Sequence, residues 1–284
     1  LDIATGIAVA FPRNPSHIAY QAWDLQKFSK GKFSLGIGSQ IKAHIEKRFG
    51  LDFDPPAARM REYILAVKAF FDCWQNGTRL DFQGKYYRHT LMTQMFNPGP
   101  NPYGIPPVML GALGPKMTEV AGEVADGLIV HPFNSMPFLE ERALPAVRLG
   151  LEKSGRRLED FVLQVNAIII TGETEQQYQA AEDSVKGLLG FYGSTPAYKL
   201  PMEAVGLGDL QPTLNALSKQ GKWDELGGYI NDEFLDAFCT RGKPDEIAGK
   251  LKAKYGKYAD RLAIYAPYAA ADEMWKGIIA QLKQ

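Results

Sequence analysis

The feature that most constrains the fold is a regular alternation of apolar, strand-like segments with amphipathic, helix-like segments. The clearest case is "PPVMLGAL", "GPKMTEVAGEVA" and "DGLIVHPF", which are typical of a strand, a helix and a strand in succession. The strand segments are almost continuously apolar, as strands covered on both faces are. The pattern therefore predicts an α/β protein with a parallel sheet.

Two architectures fit the strands that the sequence predicts. We count six, near residues 1, 33, 107, 127, 161 and 261. A (β/α)8 TIM barrel needs eight strands, whereas an open doubly wound sheet can be built from six. The open sheet's usual phosphate loops, GxGxxG and GxxxxGK[ST], are absent from the sequence. The pattern alone leaves both architectures open. In either case we expect one domain over 1–284, with an inserted helical excursion at about 190–235.

Composition narrows the class of protein. The 284 residues are 45% hydrophobic and carry a formal net charge of zero, so nothing indicates a nucleic-acid partner. No apolar run reaches the roughly 18 residues that span a bilayer, and we expect a cytoplasmic protein. Cys73 and Cys239 lie in apolar contexts and are predicted to be reduced core thiols. No His, Cys, Asp and Glu cluster has metal-ligand spacing, so no metal site is predicted.

A phosphate site is one interpretation of the stretch from Gly111 to Met117. A strand ends there, and Gly114-Pro115 lead into a helix whose first N–H groups favour an anion. Lys116 adds a positive charge. An ordinary, well-capped turn between strand and helix explains the same residues.

In "DIATGIAVAF", the pair Thr5-Gly6 interrupts an apolar, strand-like run. This is a second candidate for a ligand site. Glycine at such a point lets a flat ligand approach the backbone. A β-bulge is the alternative, and the residues alone favour it.

Histidines provide the candidates for proton transfer. If a helix begins near Gln40, His44 follows four residues later on the same face, beside the predicted end of a strand. His131 also follows a strand, "DGLIV". Either imidazole could act as acid, base or hydrogen-bond donor. The alternative for "KAHIEKR" is a solvated helix face.

Several segments together resemble the bacterial-luciferase-like superfamily of flavin- and deazaflavin-dependent enzymes. The resemblance rests on "TGIAVAFPRNPSHIAYQAWDLQKFSKGKFSLGIGSQ", "ARMREYILAVKAFFDCW", "GKYYRHTLMT" and "GALGPKMTEVAGEVADGLIV". It implies a luciferase-like (β/α)8 TIM barrel over essentially the whole chain. "GSQIKAHIEKRF" and "NPGPNPYG" resemble a subgroup that uses the deazaflavin coenzyme F420.

The resemblance also implies roles for individual segments. The first strand here would be the third of the barrel, so we expect the first two βα units to be absent from this chain. A non-proline cis peptide is implied at Thr5-Gly6, under the ring of the cofactor. Gly38 and Ser39 would lie beside the cofactor. Its phosphate site is implied at Gly111, Ala112, Gly114, Pro115, Lys116 and Met117. Where sugar-phosphate dehydrogenases of the superfamily have a catalytic Glu, this chain has Ile41, so Gln40 and His44 are the nearest polar substitutes.

The leading interpretation is an oxidoreductase that transfers hydride between coenzyme F420 and a small organic substrate. His44, Gln40 and His131 are its candidate catalytic residues. An FMN-dependent luciferase-like monooxygenase is the first alternative, and a flavin-binding protein without turnover is the second. We expect a homodimer.

Overall fold

A computed structural model describes residues 2–284. The chain divides into two compact units. The first comprises residues 1–129 and 146–162, and the second comprises residues 130–145 and 163–284. Each unit is described by itself, and the predicted single domain over 1–284 stays a prediction. The predicted strand at residues 1–5 includes Leu1, which lies outside the described residues.

The secondary structure alternates as the sequence predicts. The strands are β1 (Ile3–Ala4), β2 (Ala8–Val9), β3 (Phe33–Gly38), β4 (Phe82–Gln83), β5 (Arg88–His89), β6 (Val108–Ala112), β7 (Gly127–Val130), β8 (Val162–Ile170), β9 (Cys239–Arg241) and β10 (Arg261–Tyr265). The α-helices are α1 (Pro15–Phe28), α2 (Lys42–Lys47), α3 (Pro56–Asn76), α4 (Pro115–Val124), α5 (Met136–Phe138), α6 (Leu144–Ser154), α7 (Glu175–Gly193), α8 (Lys199–Glu203), α9 (Leu210–Lys219), α10 (Asp232–Phe238), α11 (Pro244–Tyr255) and α12 (Asp272–Leu282).

The sheet of the first unit is built around β3. The strands β1, β2 and β6 each run parallel to it, and β7 follows β6 in the order of the sheet. All six residues of β3 are buried, which explains its continuous apolar pattern. The strands predicted near residues 1, 33, 107 and 127 are therefore confirmed within the described residues.

Asp126 joins the beginnings of two strands. Its Oδ2 accepts a hydrogen bond of 2.7 Å from the backbone N–H of Val108, and its Oδ1 lies 2.7 Å from the Lys68 ammonium of α3. Its own backbone N–H donates to the carbonyl of Val108, and its carbonyl accepts from Val162. Hydrogen bonds to a charged group contribute more to stability than neutral ones. The turn at Asp126-Gly127 therefore has a structural role, because it fixes Val108, Val162 and Lys68 around one carboxylate and its backbone.

Glu62 of α3 anchors the antiparallel hairpin of β4 and β5 to the first unit. Its carboxylate accepts hydrogen bonds from the backbone N–H groups of Lys85, Tyr86 and Tyr87, at 2.8, 2.7 and 3.3 Å. These donors would otherwise lack partners in the turn. The hairpin therefore lies where Tyr87 can pack against Tyr63 of α3, with ring centroids 5.4 Å apart.

Tyr63 gives a test of this packing. Its side chain is fully buried, and its hydroxyl has no hydrogen-bond partner among the described residues. Burial accordingly raises the pKa of this phenol. Removing an unpaired polar group recovers its cost of desolvation, so Tyr63→Phe should raise the free energy of unfolding by about 1 kcal/mol. Urea unfolding followed by circular dichroism would measure the change.

Tyr87→Phe is the matched control, because the Tyr87 hydroxyl accepts a hydrogen bond of 3.0 Å from Nε of Arg59. This control should lower the free energy of unfolding. A loss of stability in Tyr63→Phe as large as in the control would show that the Tyr63 hydroxyl has a partner after all.

The second unit contains β8, to which β9 and β10 run parallel. Asp260 repeats the arrangement of Asp126, because its carboxylate accepts from the N–H of Leu163 at 2.7 Å. The predicted excursion is helical, and α10 ends it at Phe238. There the rings of Phe133, Phe234 and Phe238 stack at centroid distances of 4.4 and 4.8 Å. The sequence did not predict β9, because three residues are too few to show a strand period.

Candidate functional site

The carboxyl ends of three strands meet in one row of the first unit. Val9 pairs with Gly38, and Gly38 pairs with Gly111 in the parallel register of β2, β3 and β6. The backbone N–H of Ala10 continues the row by donating to the carbonyl of Gly38 at 2.9 Å. Parallel α/β proteins bind ligands at this end of the sheet. The sequence-predicted residues Gly38 and Gly111 are thus brought side by side.

Ile7 covers this row of glycines. A Cβ atom placed on Gly38 would lie 3.1 Å from two carbons of the Ile7 side chain, and one placed on Gly111 would lie 2.9 Å from a third. The glycines therefore leave space that the Ile7 side chain fills. Sequence reasoning did not select Ile7, because an isoleucine within an apolar run looks like any core residue.

The non-proline cis peptide lies one bond later than predicted. It joins Gly6 to Ile7, and the position given as Thr5-Gly6 is corrected accordingly. Thr5 is still held by β3, since its N–H donates to the carbonyl of Ser34 at 3.3 Å and its Oγ1 donates to that of Gly36 at 2.7 Å. The departure from strand pairing therefore begins after Thr5.

Gly6 is open on the side where a side chain would project. A Cβ atom built on it would meet no other atom within 4 Å. This is the condition that a flat ligand needs in order to approach the backbone, and it contrasts with the crowded glycines of β3.

The start of α4 presents unpaired donors. Gly114 is the N-cap in an extended conformation, Pro115 is the first helical residue, and no side chain caps the helix. The carbonyl of Gly114 is occupied by the N–H and the hydroxyl of Thr118. Lys116 is exposed, and the first turn contains no acidic residue. The positive end of the helix and the Lys116 ammonium thus suit the phosphate of a nucleotide-like cofactor.

The predicted relation between Gln40 and His44 is wrong. The helix α2 begins at Lys42, and Ile41 precedes it in an extended conformation with φ −90° and ψ 154°. Gln40 has a φ of 64°, a left-handed conformation outside the helix, and its Oε1 accepts the N–H of Ile41 at 3.0 Å. The two residues therefore do not share a helix face. Ser39 Oγ donates to the carbonyl of Gln40, which tightens the same turn.

The structure agrees in part with the alternative interpretation that "KAHIEKR" is a solvated helix face. Ile45 is the buried residue of α2, while Lys42 is exposed and lies 2.5 Å from the carboxylate of Asp54 and 3.6 Å from that of Glu46. His44 is half-buried. Its role in catalysis stays a prediction.

His131 belongs to the second unit. Its Nδ1 accepts a hydrogen bond of 3.1 Å from the backbone N–H of Phe133. Its ring packs against Tyr198, with centroids 4.6 Å apart, and against Tyr192, at 5.1 Å. Burial lowers the pKa of His131 to about 4. The aromatic neighbours were missed because they lie in the excursion, where their only signal is "FYGSTPAY".

Two further findings concern the whole described chain. Residues 2–284 contain no group of three or more His, Cys, Asp and Glu side chains placed to hold a metal ion. Within the same residues, none of the helices combines the length and the apolar character that crossing a membrane requires. Cys73 and Cys239 are both buried free thiols, as predicted.

Parallel strands alternating with helices define an α/β protein, and comparison with known proteins shows that its fold is of the luciferase-like, TIM-barrel type. The family model described as luciferase-like monooxygenase matches residues 1–261. The chain therefore belongs to the luciferase-like family of oxidoreductases, which confirms the resemblance read from the sequence.

The chain is also similar to individual proteins. It is 46% identical over 262 residues to an uncharacterised protein of Mycobacterium tuberculosis (strain ATCC 25618 / H37Rv), covering 92% of this chain and 77% of the relative. Among solved structures, it is similar to the coenzyme F420 dependent tetrahydromethanopterin reductase from Methanopyrus kandleri. The TM-score is 0.76 at 21% identity, over 98% of this chain and 80% of that one. An F420-dependent secondary alcohol dehydrogenase, solved in complex with an F420-acetone adduct, gives a TM-score of 0.74 at 14% identity, over 100% and 80%. The solved structures show that the fold is shared.

Proposed function

We propose that the protein is an oxidoreductase that uses coenzyme F420 to transfer hydride to or from a small organic substrate. The observation that carries the proposal is the pairing of an open glycine position with an uncapped helix start in the first unit. Gly6 leaves its backbone accessible, and α4 offers free N–H groups beside Lys116. A deazaflavin nucleotide has a flat ring and a phosphate, which are the two chemistries that these features accept.

The residues of this chain bind and orient, while the cofactor supplies the redox chemistry by carrying a hydride when it is bound. Thr5 and Gly6 would support the ring. Gly38, Ser39, Gly111 and Ala112 would line it, with Ile7 filling the space between the glycines. Gly114 and Pro115 would form the turn at the phosphate, and the backbone N–H groups of Lys116 and Met117 and the Lys116 ammonium would hold it. Orientation of this kind provides much of an enzyme's rate advantage.

The proton that accompanies hydride transfer needs a separate carrier. His44 is the candidate within the first unit, since histidine is the side chain that enzymes use most often for general acid–base catalysis. Gln40 has no titratable proton, and its Oε1 is already occupied by Ile41. Its contribution would be limited to hydrogen bonds donated by its side-chain nitrogen.

The test of the proposal is cofactor binding followed by turnover. Purified protein would be titrated with F420 and with FMN by fluorescence quenching, and then mixed anaerobically with reduced or oxidised F420 and a panel of ketones and alcohols. We expect tighter binding of F420 and a change in its visible absorbance with at least one substrate. Binding of FMN alone, with oxygen consumption, would support the luciferase-like monooxygenase instead. Binding without turnover of either cofactor would support the non-catalytic binder.

The monooxygenase remains the second candidate because the family model that matches the chain carries that description. FMN also has a flat ring and a phosphate, so the same residues would hold it.

A further inference from the structure

The hydrogen bond from Phe133 fixes the tautomer of His131. A neutral imidazole has one nitrogen that donates and one that accepts. The backbone N–H of Phe133 can only donate, and it lies 3.1 Å from Nδ1. The proton of neutral His131 must therefore reside on Nε2. No hydrogen-bond partner for Nε2 is found among the described residues.

The surroundings of His131 keep the ring neutral. Burial lowers the pKa of its imidazole to about 4, and no charged group contributes to that shift. The titratable groups that face the ring are the phenols of Tyr192 on α7 and Tyr198 in the 3-10 turn Pro196–Tyr198. Burial raises the pKa of both phenols. The Tyr192 hydroxyl lies 3.3 Å from that of Tyr265 on β10. Near neutral pH the cluster is therefore uncharged.

A neutral donor beside aromatic rings selects a particular kind of ligand. His131 is half-buried, and its Nε2–H is a donor that can meet the oxygen of a ligand. The flanking rings of Tyr192 and Tyr198 favour an apolar, flat body over a charged one. The complementary ligand is an uncharged molecule that carries a carbonyl or hydroxyl oxygen next to an apolar group.

We propose that His131 is a fixed hydrogen-bond donor of the substrate site, in which Phe133 holds Nδ1 and Nε2–H binds the oxygen of an uncharged ketone or alcohol beside Tyr192 and Tyr198. This deepens the proposed oxidoreductase and rests on it for the identity of the ligand as a substrate. His131 then binds the oxygen of the ligand as a neutral group, and it does not carry a proton.

Nitrogen-15 NMR tests the tautomer directly, because the sequence has four histidines and each can be assigned by substitution. In the full chain without cofactor, we expect the His131 signals of the neutral Nε2–H tautomer throughout pH 5.5 to 8. His131→Gln identifies the signals by their loss. Signals of the Nδ1–H tautomer, or protonation of His131 near its ordinary pKa of about 6.5, would overturn the proposal.

Binding of a matched pair of probes tests the ligand class. Acetophenone has a carbonyl oxygen where α-methylstyrene has a methylene group, and the two are otherwise of similar shape. We expect acetophenone to bind the wild-type protein about 3- to 10-fold more tightly, as one neutral hydrogen bond allows. His131→Phe should bring this ratio to about one. His131→Gln, whose amide can donate from a similar position, should retain part of it.

Three results would overturn this assignment: no saturable binding of acetophenone, equal binding of both probes to the wild type, or an unchanged ratio in a folded His131→Phe variant. The readouts also separate this proposal from the proposed function. If F420 does not bind, the expected tautomer of His131 and the expected ratio of affinities for the two probes do not change. If the His131 measurements contradict its proposed role, the proposal of cofactor binding still stands.

Discussion

Gly36→Ala is expected to destabilise the first unit strongly. A Cβ atom at this position of β3 would lie 1.9 Å from the carbonyl oxygen of Thr5 and 2.8 Å from Cδ1 of Ile129. Backbone and a packed core side chain both resist displacement, so the strands β1 and β3 must separate. We expect a loss of about 3 kcal/mol in the free energy of unfolding, measured by urea denaturation, with a fall of roughly 6–12 °C in the melting temperature.

The change at Gly36 should also weaken cofactor binding, because separation of the strands breaks the hydrogen bond from Thr5 Oγ1 to the Gly36 carbonyl. Gly249→Ala is the matched control. Gly249 lies exposed within α11, and a Cβ atom there would meet nothing within 4 Å. Alanine within a helix is favoured over glycine by about 0.5–1 kcal/mol, so the control should gain stability. Equal stability of the two variants would show that β1 does not approach β3 as closely as described.

Lys116→Glu is expected to have the largest effect on binding. It replaces the only cation of the first turn of α4 with an anion at the helix end that would face the phosphate. We expect the dissociation constant for F420 to rise by about 10- to 100-fold, which corresponds to about 1.4–2.8 kcal/mol. The same rise is expected for FMN, because its phosphate would use the same donors. Fluorescence titration at constant ionic strength would measure both.

Riboflavin separates the phosphate from the ring in this test. It has the same ring as FMN without the phosphate, so its affinity should change by less than about twofold in Lys116→Glu. Lys283→Glu controls for net charge, since Lys283 is exposed beyond α12 and the substitution alters the charge equally. If riboflavin binding falls as much as FMN binding, the start of α4 does not hold the phosphate.

Most of the fold could be predicted from periodicity and composition. The strands β3, β6 and β7 are short apolar runs bounded by glycine or proline, and α3 (Pro56–Asn76) carries apolar residues at helical spacing. These features can be predicted locally, because the strand and helix periods appear as spacings of apolar residues within one segment. The very short β9 was not predicted, because it has no local strand period and its strand character comes from pairing with Ile168–Ile170 of β8.

The candidate site was predicted less completely. The glycines and the α4 start were found because breaks in apolar runs and helix caps leave local signals. Gln40 was placed in a helix because its left-handed backbone and the closure of its side chain onto Ile41 have no sequence signature. Tyr192 and Tyr198 could not be associated with His131, because more than 60 residues of sequence separate them from it.

The sequence by itself determined the family, the order of strands and helices, and the positions where the chain must turn. Those properties depend on the period of apolar residues and on the backbone freedom of particular glycines and prolines. Only the tertiary structure decided that Ile7 fills the space over Gly38 and Gly111, that Phe133 donates a hydrogen bond to Nδ1 of His131, and that Tyr192 and Tyr198 pack against its ring. Contacts between residues far apart in the chain depend on how the helices and strands pack, and a local pattern of residues does not predict that packing.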